Sequence, residues 1–287
     1  MYLAQRWSVW ISLALSPVVA GLMVRTFIIM HDCAHGSFLP WRRANDLVGF
    51  ITGVLTLTPF GQWRRDHALH HASSGDLDRR GHGDIHTLTV REYLARSPRD
   101  RWIYRAVRHP LSLMLVGPLY LMVSNRVRPK STATGKTQKV SVDLTNLAIL
   151  LAAAGAVWLF GWSALLLVYF PAMYLAAMMG VWLFYVQHQF EDAYWESHEG
   201  WDYATAALRG SSHLVLPPVL QWFTGSIGLH HVHHLAPRIP NYRLQRCLDS
   251  AEMLQMAPIV TIRSGTAALR LALWDEDARR LIRFKDL

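Results

Sequence analysis

The sequence predicts an all-α integral membrane protein, with transmembrane helices carrying a His-rich helical domain on the cytoplasmic face. Three observations predict it. Residues 144–186 form a run of 43 without one Asp, Glu, Lys or Arg. Charged residues make up 17% of the chain and hydrophobic ones 52%, where ordinary soluble proteins carry roughly 25% charged. Fifteen histidines are present, and their clusters lie beside the apolar runs rather than inside them. Two cysteines, Cys33 and Cys247, exclude a disulfide framework and any thiolate-built zinc or iron–sulfur site. The formal charge of +9 raises the question of nucleic acid. No basic–aromatic groove pattern occurs, however, and arginines flanking membrane spans have a simpler cause.

Taken in order, residues 7–24 are uncharged, and the apolar pattern continues through Phe27-Ile28-Ile29-Met30. This predicts a retained span near 7–30 rather than a signal peptide, whose basic n-region would rest on Arg6 alone. Runs 47–61 and 111–123 fall short of the roughly 20 residues a bilayer core requires. Ten arginines lie between Gln62 and His109, and five Lys/Arg between Asn125 and Lys139. A crossing at 111–123 would put one of these basic segments outside, against the positive-inside rule. Both short runs are therefore predicted to be interfacial or re-entrant. Residues 129–141 predict a flexible polar loop. As one helix, run 144–186 would be about 64 Å long, twice what a bilayer needs. It divides into antiparallel spans near 144–160 and 163–186, turning at Gly161-Trp162, with Pro171 as a tolerated kink. Residues 187–287 are placed in the cytoplasm as part of one domain running 1–287. The tail, 267–284, reads as a basic amphipathic surface helix.

Three histidine clusters carry the chemistry. His31 and His35 form H-x-x-x-H. His67, His70 and His71 form H-x-x-H-H, and His230, His233 and His234 form a second one. On a helix, positions i, i+3 and i+4 share one face, so each cluster is expected to aim its imidazoles at one point. Neutral imidazole suits iron, zinc, copper or nickel. Eight histidines exceed the four to six ligands of one ion, which implies two metals. His188 is a ninth candidate, where the second hairpin helix leaves the membrane. Asp32, Asp66, Glu191 and Asp192 sit close enough in sequence to accept from histidine N–H groups, as do Asp76 and Asp78. His82, His86, His109, His198 and His213 lack chelating spacing and are set aside, and His231 is a neighbour inside the third box.

Segments 31–38 (HDCAHGSF), 63–71 (WRRDHALHH) and 230–242 (HHVHHLAPRIPNY) resemble the histidine boxes of membrane fatty-acid desaturases. The third is most similar to the acyl-lipid omega-6 (delta-12) branch. The resemblance runs from about residue 10 to about residue 250. It implies a non-haem centre of two iron ions held by His31, His35, His67, His70, His71, His230, His233 and His234, with His188 as the ninth ligand. It also implies a lipid-linked acyl substrate, oleoyl converted to linoleoyl with dioxygen, and an external ferredoxin or cytochrome as electron donor. Arg64, Arg65, Arg79 and Arg80 are candidates to receive an acidic donor, or equally to anchor lipid headgroups. The expected location is a bacterial inner membrane. Family members carry two spans before the first box, so the family's first span is expected to be missing here. The rival readings are an acyl, alkane or carotenoid hydroxylase with the same metal site, a zinc-dependent membrane hydrolase, and a non-catalytic metal-binding membrane protein.

Overall fold

The computed structural model describes residues 1–81, 85–127 and 135–287. His82 and positions 129–134 of the expected polar loop lie outside the described residues. The rest divides into two units, one of residues 1–65, 117–180 and 222–225, the other of 66–116, 181–221 and 226–287.

The first unit is helical. Val9–His35 is a 27-residue apolar helical segment, capped where the Ser8 side chain accepts the Trp10 N–H. It stops at Gly36, in the left-handed region at φ 68°, whose N–H closes back on the carbonyls of Asp32 and Cys33. The first box therefore occupies a helix's last two turns. Run 47–61 is shared between two helices. Arg42–Leu55 ends, the chain turns through Leu57 at φ 53°, and a new helix, Phe60–Ser73, begins. The reversal is tight because Gly49 and Gly53 lack side chains. A Cβ on Gly49 would lie 2.3 Å from the Phe60 ring, and one on Gly53 would lie 2.5 Å from the Thr58 carbonyl. Phe60 thereby packs with Met30 and Cys33 in a buried cluster flanked by Phe27 and Trp63.

The uncharged run folds as two helices. Lys136–Phe160 has 25 residues, about 37 Å at 1.5 Å per residue, so the helix starts inside the segment expected to be a loop. Gly161, at φ 76°, ends it. A π-helical turn, Ala164–Tyr169, then leads into Phe170–His188. The wide turn falls immediately before Pro171, which can neither donate to nor pack closely on the preceding turn. Leu150, Leu151 and Trp158 are exposed on the first of these helices, as a lipid-solvated surface requires. Three segments, Val9–His35, Lys136–Phe160 and Ala164–His188, are long and apolar enough to cross a membrane. Pro98–Val107 and Ser112–Ser124 form a helix pair bent by 62°, the shape of a broken span or a re-entrant loop.

The second unit corrects the all-α expectation. Strands β1 (Leu88–Thr89), β2 (His213–Val215), β3 (Ile259–Thr261), β4 (Leu271–Asp275) and β5 (Arg280–Arg283) form two small sheets. In one, β1 is parallel to the central β4, and β5 is antiparallel to it; in the other, β2 and β3 run parallel. The tail read as an amphipathic helix is helical only over Ile262–Ala268, after which it becomes the β4–β5 hairpin. Leu271, Ala272, Leu273 and Trp274 are all buried along β4, with Ile282 across from Leu273 and Leu281 across from Trp274. The Asp275 carboxylate accepts the N–H groups of Asp277 and Ala278, which closes the turn. Leu88, Tyr93, Tyr104, Leu273 and Ile282 form the core under this sheet. Truncating Leu273 to Ala there should cost about 2–5 kcal/mol.

If Lys136–Phe160 crosses a bilayer, its two ends must differ in access. Cysteines introduced at Lys136 and Trp162 in a Cys-free background should label from opposite sides of the membrane. Labelling of both by an impermeant reagent from one side would remove this span.

Candidate metal centre

The two H-x-x-H-H boxes each sit on one helix, Phe60–Ser73 and His230–Leu235. Neither aims all three imidazoles at one point, which corrects the sequence expectation. Residues i and i+4 lie about 40° apart around a helix, while i+3 falls on the other side of i. Within the second unit, His67 and His71, the i and i+4 members of their box, meet His233, the i+3 member of the other. The His71 Nε2 lies 3.0 Å from His67 Nε2 and 3.0 Å from His233 Nε2. Conversely His230 and His234, the i and i+4 pair of the third box, meet His70. The boxes thus exchange their i+3 histidines, and two clusters result.

The second cluster is completed by His188, from the last turn of Phe170–His188. One ring nitrogen from each of His70, His188, His230 and His234 lies within 4.8 Å of the other three, and all four side chains are buried. His188 Nε2 is 3.2 Å from His70 Nε2 and 2.9 Å from His230 Nε2, and its Nδ1 faces the Ser74 hydroxyl at 3.4 Å. If Nδ1 carries the proton toward Ser74, Nε2 presents its lone pair to the cluster. The clusters adjoin, since the rings of His71 and His234 stack with centroids 4.1 Å apart.

These residues fit a metal. The two groups offer imidazole nitrogen only, with no carboxylate or thiolate. Burial, followed by the neighbouring His71, His230, His188 and His70, holds the His234 ring well below the usual histidine pKa. It is therefore neutral, and its buried Nε2 has no hydrogen-bond partner among the described residues. A lone pair in that position is a ligand for a cation.

The first unit holds the first box. His31 and His35 have ring centroids 4.9 Å apart, and Asp32 is 3.1 Å from His31 Nδ1. Of the other carboxylates proposed to support the histidines, Glu191 and Asp192 are exposed, and Glu191 pairs with Arg280 at 3.3 Å; Asp66 is half-buried. Asp76 is buried and holds His198 and Arg79. The basic residues considered for a docking partner are already engaged. Arg64 pairs with Asp46, Arg79 with Asp76, and Arg80 makes a two-pronged contact with Glu92. His86, His109, His198 and His213 join neither cluster. His231 points away from the metal-type nitrogens and donates Nε2–H to the Leu254 carbonyl at 2.8 Å. Burial, then His213, lowers its pKa to about 4. Sequence reasoning passed over Ser74, although it lies four residues after His70 and so continues that ligand's helical face.

The family model described as Fatty acid desaturase matches residues 8–259. A fatty acid desaturase of Bacillus subtilis (strain 168) is 46% identical over 285 residues, covering 99% of this chain and 80% of that protein. Two Synechocystis proteins are more distant. The sn-1 acyl-lipid omega-3 desaturase (ferredoxin) is 28% identical, over 78% of this chain and 62% of its own length. The sn-1 oleoyl-lipid 12-desaturase is 25% identical, over 82% and 67%.

The exchange between boxes makes a prediction that a single-point box does not. His70→Ala should impair the same metal as His188→Ala and His230→Ala. His67→Ala and His71→Ala should instead impair the one affected by His233→Ala. Cobalt titration of the purified variants, followed by visible absorption, should resolve two classes; one common class would refute the exchange. Asp76 supplies a second test. Its burial would raise the carboxyl pKa, but hydrogen bonds from His198, Arg79 and the Asp78 N–H hold it below the usual 3.8. A lowered folded-state pKa means the stabilisation is present above about pH 4 and is lost as pH falls through the folded value. Asp76→Asn should therefore reduce the melting temperature at pH 7 and flatten its fall between pH 5 and pH 3.

Proposed function

The chain belongs to the fatty acid desaturase family, and we propose that it is a dioxygen-dependent acyl-lipid desaturase working at two iron ions on the cytoplasmic face of a membrane. The observation that carries the reading is the convergence of His70, His188, His230 and His234 without any carboxylate or thiolate. His67, His71 and His233 supply ligands to the second ion. His31 and His35 are assigned to the same pair of ions by the order of the three boxes along the chain.

When bound, the irons supply the dioxygen chemistry that removes two hydrogens from adjacent methylenes. Two electrons and two protons come from outside, and two waters are released with the double bond. The protein's own groups set the conditions. Burial keeps the His234 imidazole neutral and so available to a cation. The Ser74 hydroxyl faces His188 Nδ1, and the Asp32 carboxylate, which only accepts, favours the proton on His31 Nδ1. Imidazole also resists a strong oxidant where a thiolate ligand would be consumed.

The substrate is an oleoyl chain on a glycerolipid, and the product has a second cis double bond at the delta-12 position. The support is the third-box likeness to the omega-6 branch and a relative named as an sn-1 oleoyl-lipid 12-desaturase. A ferredoxin or cytochrome delivers the electrons, and another relative carries ferredoxin in its name. The cytoplasmic placement and the inner membrane rest on the arginine-rich segments between the apolar runs.

Expression in a host without polyunsaturated fatty acids should yield linoleate, detected by gas chromatography of its lipids. His70→Ala and His234→Ala should abolish it while leaving the protein in the membrane fraction. Hydroxy fatty acids in place of linoleate would identify a hydroxylase at the same metal site. A double bond elsewhere would overturn only the position.

A further inference from the structure

Arg108 is an arginine buried in the second unit, 3% exposed, at the end of Pro98–Val107. No acidic side chain pairs with it among the described residues, and its Nε and Nη1 have no hydrogen-bond partner there. A buried cation with fewer acceptors than donors is destabilising, so stability alone does not account for it. Its third nitrogen is well used. Nη2 donates to the Leu271 carbonyl at 2.9 Å, to the Tyr185 hydroxyl at 3.1 Å and to Gln189 Oε1 at 3.1 Å.

Those acceptors bracket one metal-type histidine. Tyr185 lies three residues before His188 and Gln189 follows it directly. Leu271 opens β4, the central strand of the sheet. The lattice is cross-braced, because the Tyr185 hydroxyl donates to the same Leu271 carbonyl and Thr87 Oγ1 reaches Gln189 Oε1 at 3.3 Å. A single guanidinium nitrogen thus ties both sides of His188 to the strand. We propose that Arg108 is the positioning residue for His188, fixing the end of its helix to β4 so that the imidazole meets His70, His230 and His234. It touches neither substrate nor metal.

The inference rests on His188 being a ligand, as proposed above. The test uses the full-length protein in detergent, loaded with cobalt(II), with cobalt per chain, visible absorption and far-ultraviolet circular dichroism as readouts. His188→Ala is the reference. Arg108→Gln and Gln189→Ala should weaken cobalt binding about tenfold to a hundredfold at the site that His188→Ala impairs. The other site should fill as in the wild type, with the dichroism unchanged. Arg108→Lys, keeping the charge and one donating nitrogen on a more flexible stem, should fall between Arg108→Gln and the wild type. Wild-type cobalt spectra in both Arg108→Gln and Gln189→Ala would overturn the proposal. Loss of both sites together with the dichroism signal in Arg108→Gln would also overturn it, making the arginine a folding residue only. If His188→Ala leaves cobalt binding unaltered, the ligand assignment fails and this inference with it.

Discussion

Four histidine ring nitrogens lie within 4.8 Å of one another in the second unit, buried together with no carboxylate. Neutral imidazoles in that arrangement point lone pairs at one another, and charged ones would repel across a medium that screens poorly. A cation at the centre would satisfy them, and much of the surrounding structure holds the rings in that arrangement. His188 comes from a helix end, His70 from a second helix, and His230 and His234 from a third only six residues long. Such a short helix has little stability of its own. It is held by tertiary packing, with Leu229 and Val232 buried against Leu244, Leu248 and Leu254.

Membrane helices and metal ligands make opposite demands on a chain. A span wants apolar side chains without interruption, whereas imidazoles need polar neighbours to fix their tautomers. The conflict is resolved by putting the candidate ligands in terminal turns. His35 is the last residue before the left-handed Gly36, and His188 ends Phe170–His188. In the second unit, the residues beyond His188 turn back to meet β4. Ser212 bonds the Val186 and Gln187 carbonyls left open at the helix end, through its hydroxyl and its N–H respectively. The small sheets therefore do more than fill space: β4 supplies the carbonyl to which Arg108 and Tyr185 are tied.

The exchange of i+3 histidines between the two boxes follows from helix geometry. A set spaced i, i+3, i+4 spans about 100° of arc, which is wide for three short ligands on one ion. Divided as a pair and a single, it contributes to two neighbouring histidine clusters from one helix turn. His67 and His71 then pair as His230 and His234 do, each with ring centroids 4.5 Å apart. The stacking of His71 on His234 brings the clusters side by side.

Sequence by itself determined the long apolar helices and the histidines that cluster beside them. A run of 43 uncharged residues has few stable states in water, and two H-x-x-H-H motifs beside apolar runs have few purposes other than metal. Those signals are local: hydropathy and helical spacing are legible without knowing what packs on what. Tertiary structure decided which histidine joins which cluster, because the i+3 ring can turn to either side until another helix fixes it. It also decided the β4–β5 hairpin. Leu271, Leu273, Leu281 and Ile282 among charged residues suit an amphipathic helix and a short strand pair almost equally. The choice came from β1 and from the buried Tyr93 and Tyr104 beneath the sheet. Arg108 is the clearest case of the same limit. Among ten arginines between Gln62 and His109 nothing local distinguishes it, and only burial against Tyr185, Gln189 and Leu271, distant in sequence, gives it a role.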